Sequence, residues 1–173
     1  MHNQRKKIFA IGVVTATISA ALIAVPAIAT PPVGTWAPVP LSRGTFDDLN
    51  VMAEKTGKWD LMLKAKGLTD VRVTRVPFAV GTSSGWHSHP GPNLLTVTAG
   101  TVVEYDGDNP LCTGTTYTVG QTFGDNGGSA VHLVRNESSS PAEVMAVALY
   151  PNGVTPITDS TKPKPTNCPA TVL

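Results

Sequence analysis

The sequence predicts an all-β fold, a sandwich or barrel built from short strands. From Asp70 onward, short runs rich in Val, Thr and aromatic residues alternate with Gly and Pro. Two strong turn signals, Asp106-Gly107 and Asn126-Gly127-Gly128, fall between such runs. No long helical period interrupts this region. Many short strands joined by regular turns favour a sandwich or a closed barrel.

The elements follow from these runs in chain order. The proline-rich segment Thr30 to Pro40 predicts an extended arm. Leu61-Met62-Leu63 fits a strand, and the residues before it fit a short helix. Seven further strands are predicted, at Val71–Val80, Trp86–His89, Leu94–Ala99, Thr101–Tyr105, Thr115–Val119, Val131–Arg135 and Val144–Tyr150.

The first 29 residues have the layout of a secretory signal peptide. Arg5-Lys6-Lys7 precedes an apolar run from Ile8 to Val25, and Ala27-Ile28-Ala29 supplies a cleavage sequence. The alternative is a retained membrane anchor, since the apolar run is nearly long enough to span a bilayer. The cleavage sequence favours the signal peptide over the anchor, so we expect a secreted protein. Its regions are a signal peptide at 1–29, an N-terminal arm with flanking strands at 30–69, a barrel at 70–150 and a proline-rich tail at 151–173.

Charge and cysteine content narrow the function classes. Cleavage would leave 10 of the 13 basic residues against 12 acidic ones, a net charge of about −2 without a basic run. The sequence therefore gives no support for nucleic-acid binding, or for stable membrane association after cleavage. We expect a small-molecule ligand or substrate, and a homodimer is left open.

Cys112 and Cys168 favour a disulfide outside the cytoplasm, with two free thiols as the alternative.

Three histidines, His87, His89 and His132, remain once the signal peptide is removed. Residues i and i+2 on a strand point to the same face, so His87 and His89 can bind one ion together. His132 lies on a later predicted strand and can complete a set of three imidazoles in a closed sheet. The alternative is that these histidines only pack or hydrogen-bond inside the barrel.

The spacing around the first two histidines resembles the first motif of the cupin family. In that motif a glycine, five residues, His-x-His, three or four residues, a glutamate and six residues lead to a closing glycine. Here five residues separate Gly81 from His87-Ser88-His89. Asn93 then stands at the glutamate position, and Gly100 closes the motif.

The second cupin motif is matched more loosely. It ends in a histidine, three residues and an asparagine, as do His132 and Asn136. Its opening glycine looks like Gly120, one residue further from the histidine than usual, and its proline is absent. The resemblance spans Asp70 to Tyr150. It implies a double-stranded β-helix, a small jelly-roll barrel that commonly holds a metal ion.

Asn93 is the main departure from the family pattern, because it replaces a charged ligand with a neutral amide. Asn93 is thus a weak candidate ligand beside the three histidines, and metal affinity should be lower than with glutamate. The two-histidine, one-carboxylate pattern typical of iron is missing. Fe, Mn, Ni, Cu and Zn all stay open as the divalent ion.

Metal cupins are often dioxygenases, so the resemblance implies a small-molecule dioxygenase or oxidoreductase. A non-catalytic module that binds a sugar or another small ligand is one alternative, and a metal-assisted isomerase or hydrolase is another. The sequence identifies no catalytic residue. Glu104 and Glu143 are candidate general bases, but we expect both to face solvent.

Overall fold

The computed structural model describes residues 32–34, 36–53, 55–156 and 165–168. The predicted signal peptide and most of the proline-rich tail lie outside these residues. Within them, no helix is long and apolar enough to cross a membrane. The division of the chain into four regions stays a prediction.

The described residues form ten β-strands and no helix. This confirms the predicted all-β class. The strands are β1 (Val39–Phe46), β2 (Leu49–Met52), β3 (Met62–Ala65), β4 (Thr69–Phe78), β5 (Asn93–Ala99), β6 (Thr101–Asp106), β7 (Thr115–Thr118), β8 (Thr122–Asp125), β9 (His132–Arg135) and β10 (Ala142–Pro151).

Two antiparallel sheets enclose the core. One has five strands in the order β1-β4-β10-β5-β8, and the other has three in the order β7-β6-β9. A separate two-stranded sheet joins β2 and β3. The main apolar cluster draws buried side chains from both larger sheets, as a jelly-roll barrel requires: Val76, Phe78, Leu95, Val97, Val102, Phe123, Val134, Ala142 and Val144.

Alternation along the central strands explains which side chains reach this core. Val76 and Phe78 lie two residues apart on β4 and point to one face. Their partners on β10 are Val144 and Ala142, which are buried with them. Full burial of an aliphatic or aromatic side chain of this size contributes about 1.5–3 kcal/mol. The core therefore forms from residues that face each other across the ladder.

Two residues of the motif resemblance, Gly100 and Asn136, have structural roles. Gly100 joins β5 to β6 with a φ of 66°, and a Cβ there would clash with the carbonyl oxygen of Pro141. Only glycine fits such an approach without strain. Asn136 is fully buried after β9, and its side-chain amide donates to the carbonyls of Phe78 and Ser140. It fixes the path of the chain between β9 and β10.

Several predicted elements are corrected by the structure. The predicted strand Trp86–His89 is wrong, because this segment makes only a single bridge between His87 and His132. Gly85 before it has a φ of 70°, and Pro90 after it has no amide hydrogen to extend a ladder. The short helix considered before Leu61 is also wrong, since β2 and a turn occupy that region. β1, β2 and β8 were not predicted as strands.

Candidate metal centre

The three predicted histidines meet at one point inside the barrel. His87 and His89 lie on the segment between β4 and β5, and His132 begins β9. Backbone hydrogen bonds join His87 to His132 in both directions, at 3.0 and 2.9 Å. This bridge holds the two segments side by side. One nitrogen from each of the three rings lies within 4.8 Å of the others, so the group could hold a metal ion.

The ring nitrogens converge in the orientation that a metal ion needs. His87 Nδ1 donates to the Gly85 carbonyl at 2.8 Å, and His89 Nδ1 donates to the Pro156 carbonyl at 2.7 Å. A carbonyl oxygen only accepts hydrogen bonds, so each Nδ1 carries the hydrogen of a neutral ring. Nε2 of each ring therefore presents a lone pair.

The lone pairs of His87 and His89 face each other at short range, and Nε2 of His132 lies beside them. His87 Nε2 lies 3.1 Å from His89 Nε2 and 3.2 Å from His132 Nε2. Two unprotonated nitrogens at such distances repel, whereas a cation between them would be attracted to both. Metal-bound imidazoles commonly donate their other ring hydrogen to a carbonyl or carboxylate, as His87 and His89 do. The donor set therefore fits a transition-metal ion.

Burial keeps these rings neutral. It is the largest cause that lowers the pKa of His87 to about 3, and the neighbouring His132 and His89 add to the effect. Burial, followed by the charge of His89, likewise lowers the pKa of His132 to about 3. The pKa of His89 is lowered mainly by burial as well. Neutral imidazole is the form that binds metals, so these rings can bind an ion over a wide pH range.

Glu104 lies behind His132, contrary to the expectation that it faces solvent. Only 15% of its side chain is exposed, and its Oε1 is 3.9 Å from His132 Nδ1, a buried atom without a hydrogen-bond partner. Burial, assisted by Asp106 and Asp125, raises the pKa of Glu104 to about 7. Strand pairing of β6 with β9 brings the two side chains together. Glu143 is away from the site, where it pairs with Arg75 at 3.4 Å.

The low histidine pKa values predict how the stability of the metal-free protein depends on pH. Between pH 6.5 and about 3, unfolded His87 and His132 bind protons that the folded rings do not, so stability falls as pH falls. Glu104 opposes this between pH 4.5 and about 7, because its folded form keeps the proton. Two histidines outweigh one glutamate, and His89, whose pKa is also lowered, adds to their effect. We therefore expect a net loss on the order of 1 kcal/mol or more per pH unit between pH 6.5 and 4.5.

Urea denaturation of EDTA-treated protein across this range measures that slope. In Glu104→Gln the opposing contribution disappears, so the slope should become steeper by on the order of 1 kcal/mol per pH unit between pH 4.5 and 6.5. A free energy of unfolding that stays constant from pH 6.5 to 4.5 in both proteins would contradict neutral, buried histidines.

Asn93 is buried at the start of β5, and its side chain is fully engaged. Its Oδ1 accepts from the Tyr150 hydroxyl at 2.6 Å, and its Nδ2 donates to Asp125 Oδ2 at 3.2 Å. The Tyr150 hydroxyl also lies 3.1 Å from His89 Nδ1. Asn93 thus connects the histidine cluster to two side chains that sequence reasoning missed. Its role as a weak ligand stays a prediction.

A cavity of about 110 Å³ adjoins the three histidines. Its walls are mostly apolar, with Val76, Phe78, Leu95 and Val144 among them. Within the described part of the chain, no aspartate or glutamate lines it. The cavity therefore has room for a small molecule beside the imidazoles.

Arg72 is the cation on the cavity wall, and sequence reasoning missed it. It lies on the same face of β4 as Val76, a period-two relation visible in the sequence. Its Nη2 donates to Asp70 Oδ2 at 2.9 Å and to the Val154 carbonyl at 2.8 Å. Its guanidinium carbon lies 5.5 Å from the centre of the Tyr150 ring, within the range of a cation–π contact.

The two cysteines form a disulfide, and Cys112 and Cys168 have Cα atoms 5.1 Å apart. Both are buried against Trp86 and Leu133 in a second apolar cluster. The bond attaches the described end of the tail near the segment that carries His87. Disulfides persist mainly in oxidising compartments, so this one is typical of an extracytoplasmic protein.

Comparisons with known proteins return matches only among solved structures. No protein-family model matches the chain, and no curated protein matches it. The similar structures include a cupin superfamily protein from Desulfitobacterium hafniense, at 12% identity and a TM-score of 0.40 over 60% of this chain and 77% of that one. Cupins are therefore among the solved structures similar to this chain.

Two further structures have comparable scores. A predicted oxalate decarboxylase from Thermotoga maritima is 21% identical, with a TM-score of 0.39 over 49% of this chain and 83% of that one. A cupin 2 conserved barrel domain protein from Salinispora arenicola is 20% identical, with a TM-score of 0.41 over 47% of this chain and 64% of that one.

Proposed function

We propose that this chain is a secreted, metal-dependent cupin that oxidises a small organic molecule with molecular oxygen, as a dioxygenase does. One observation carries the proposal: the Nε2 atoms of His87, His89 and His132 converge at 3.1 and 3.2 Å, and the Nδ1 hydrogens of His87 and His89 are held elsewhere. The ion would be Fe, Mn, Ni, Cu or Zn. When bound, any of these ions supplies Lewis-acid chemistry, but the proposed oxidation also needs a redox-active ion, which zinc is not.

Side chains of this protein would bind the substrate and exclude water from the space around it. Apolar side chains such as Val76, Phe78 and Leu95 surround the space beside the imidazoles and favour the carbon skeleton of a substrate. Arg72, on the same wall, would attract an anionic group on that substrate. Pro156 closes part of the wall and at the same time holds His89 through its carbonyl.

The position of Glu104 gives no support to a metal-assisted isomerase or hydrolase. Those reactions need a general base that reaches the substrate. Glu104 has a raised pKa but lies behind His132 and does not line the cavity, so it is not placed to take a proton from a bound molecule. The disulfide supports the location outside the cytoplasm.

Metal analysis and oxygen uptake test the proposal together. Protein purified from the culture medium should contain about one transition-metal ion per chain. It should consume oxygen with at least one member of a panel of phenols, thiols and diketones, and EDTA treatment should stop the uptake. The matched control is the EDTA-treated protein reloaded with the same ion. A metal-loaded protein that binds small ligands without oxygen uptake would instead be a non-catalytic binding module.

A further inference from the structure

Asp125 is a buried carboxylate that sits beside the histidine cluster. It ends β8 and pairs directly with Asn93, the first residue of β5. Only 3% of its side chain is exposed. Asn93 is the position at which the motif resemblance expects a charged ligand. The strand register therefore puts a carboxylate next to the place where the sequence lacks one.

The distance from Asp125 to the ring nitrogens suits a shared ion. Asp125 Oδ2 lies 3.9 Å from His89 Nε2. Two atoms that each bind one ion at about 2.1 Å lie at most about 4.2 Å apart. Asp125 and His89 therefore fit one coordination sphere. Asp125 stands outside the group of three histidines with mutual distances under 4.8 Å, so its side chain would rotate further toward the cluster on binding.

The charge of Asp125 has no compensating side chain among the described residues. Its Oδ1 accepts from the Gly127 amide at 2.9 Å, and its Oδ2 accepts from Asn93. The side chain of basic character nearest to it is His89, whose Nε2 lies 3.9 Å from Asp125 Oδ2. A buried charge without a partner is costly. A divalent ion on the histidines would remove that cost.

We propose that Asp125 is the carboxylate ligand of this metal centre, which becomes a site of three histidines and one aspartate. The inference rests on the metal site of the proposed function. Asn93 and Tyr150 are positioning residues: Tyr150 donates to the Asn93 carbonyl oxygen, and this orients the Asn93 amide toward Asp125. The site thus obtains its negative charge from β8, not from the position that the motif predicts.

Titration of Zn²⁺ and Co²⁺ into metal-free protein tests this assignment. Asp125→Asn keeps the size of the side chain and removes its charge, and it should weaken binding of both ions at least about tenfold. The visible spectrum of the Co²⁺ protein should change with the loss of a ligand. Asp108→Asn removes an exposed aspartate in the β6–β7 turn and is the matched control, with unchanged affinity.

The same assignment can be tested in the unmodified protein, in case Asp125→Asn does not fold. The carboxyl ¹³C resonance of Asp125 should shift on Zn²⁺ binding by more than that of Asp108. Equal small shifts at both positions, or an Asp125→Asn affinity within twofold of the original, would overturn the assignment. If the original protein binds none of these ions, the proposed function itself fails, and this outcome is separate from any effect of Asp125.

Discussion

Replacing His132 with alanine is expected to abolish transition-metal binding, and His87→Ala should do the same. Each change removes one of three converging nitrogen ligands. Loss of an outer hydrogen-bond partner alone costs about 10–100-fold in metal affinity, so loss of a direct ligand should exceed about 100-fold. Metal content after dialysis and calorimetric titration with Zn²⁺ measure the effect.

A matched control separates ligand loss from damage to the fold. Leu133 is fully buried next to His132 and packs on the other side, against Trp86. Leu133→Val should lower stability by about 1 kcal/mol and leave metal content unchanged. Full metal occupancy in a protein with all three histidines changed to alanine would show that the ion binds elsewhere.

Loss of the disulfide is expected to lower the free energy of unfolding by about 4 kcal/mol. Cys112 and Cys168 are 56 residues apart, and the entropy of closing a loop of this size in the unfolded chain gives that magnitude. The double variant Cys112→Ser/Cys168→Ser, compared by urea denaturation, measures it. Because a typical domain has only about 5–15 kcal/mol of stability, this is a large fraction of the total.

The control for this variant is Thr113→Ser, a change in the same loop that leaves the disulfide intact. It should denature at the urea concentration of the original protein. Reduction should raise the intact mass by that of two hydrogens, apart from any mass that an alkylating agent then adds to the thiols. Two thiols that react with an alkylating agent in the unreduced, folded protein would rule the bond out.

Local patterns in the sequence were enough to predict the class of fold and the residues of the centre. Period-two alternation and turn residues act over a few positions, so most strands from β4 to β10 could be located from the chain alone. The spacing of the histidines within the motif and the even number of cysteines can likewise be read from the sequence alone. They predicted which side chains would meet without specifying any distance.

Only the tertiary structure showed what surrounds the histidines. Asp125 reaches the cluster through the pairing of β8 with β5, and Glu104 reaches His132 through the pairing of β6 with β9. The register of such pairs is set by contacts between residues far apart in the chain, which no local pattern encodes. The sequence alone therefore predicts Glu104 in solvent and gives no indication of Asp125. The sequence determined the three histidine ligands, whose spacing is recognisable. Long-range strand pairing decided which charged side chains lie beside them.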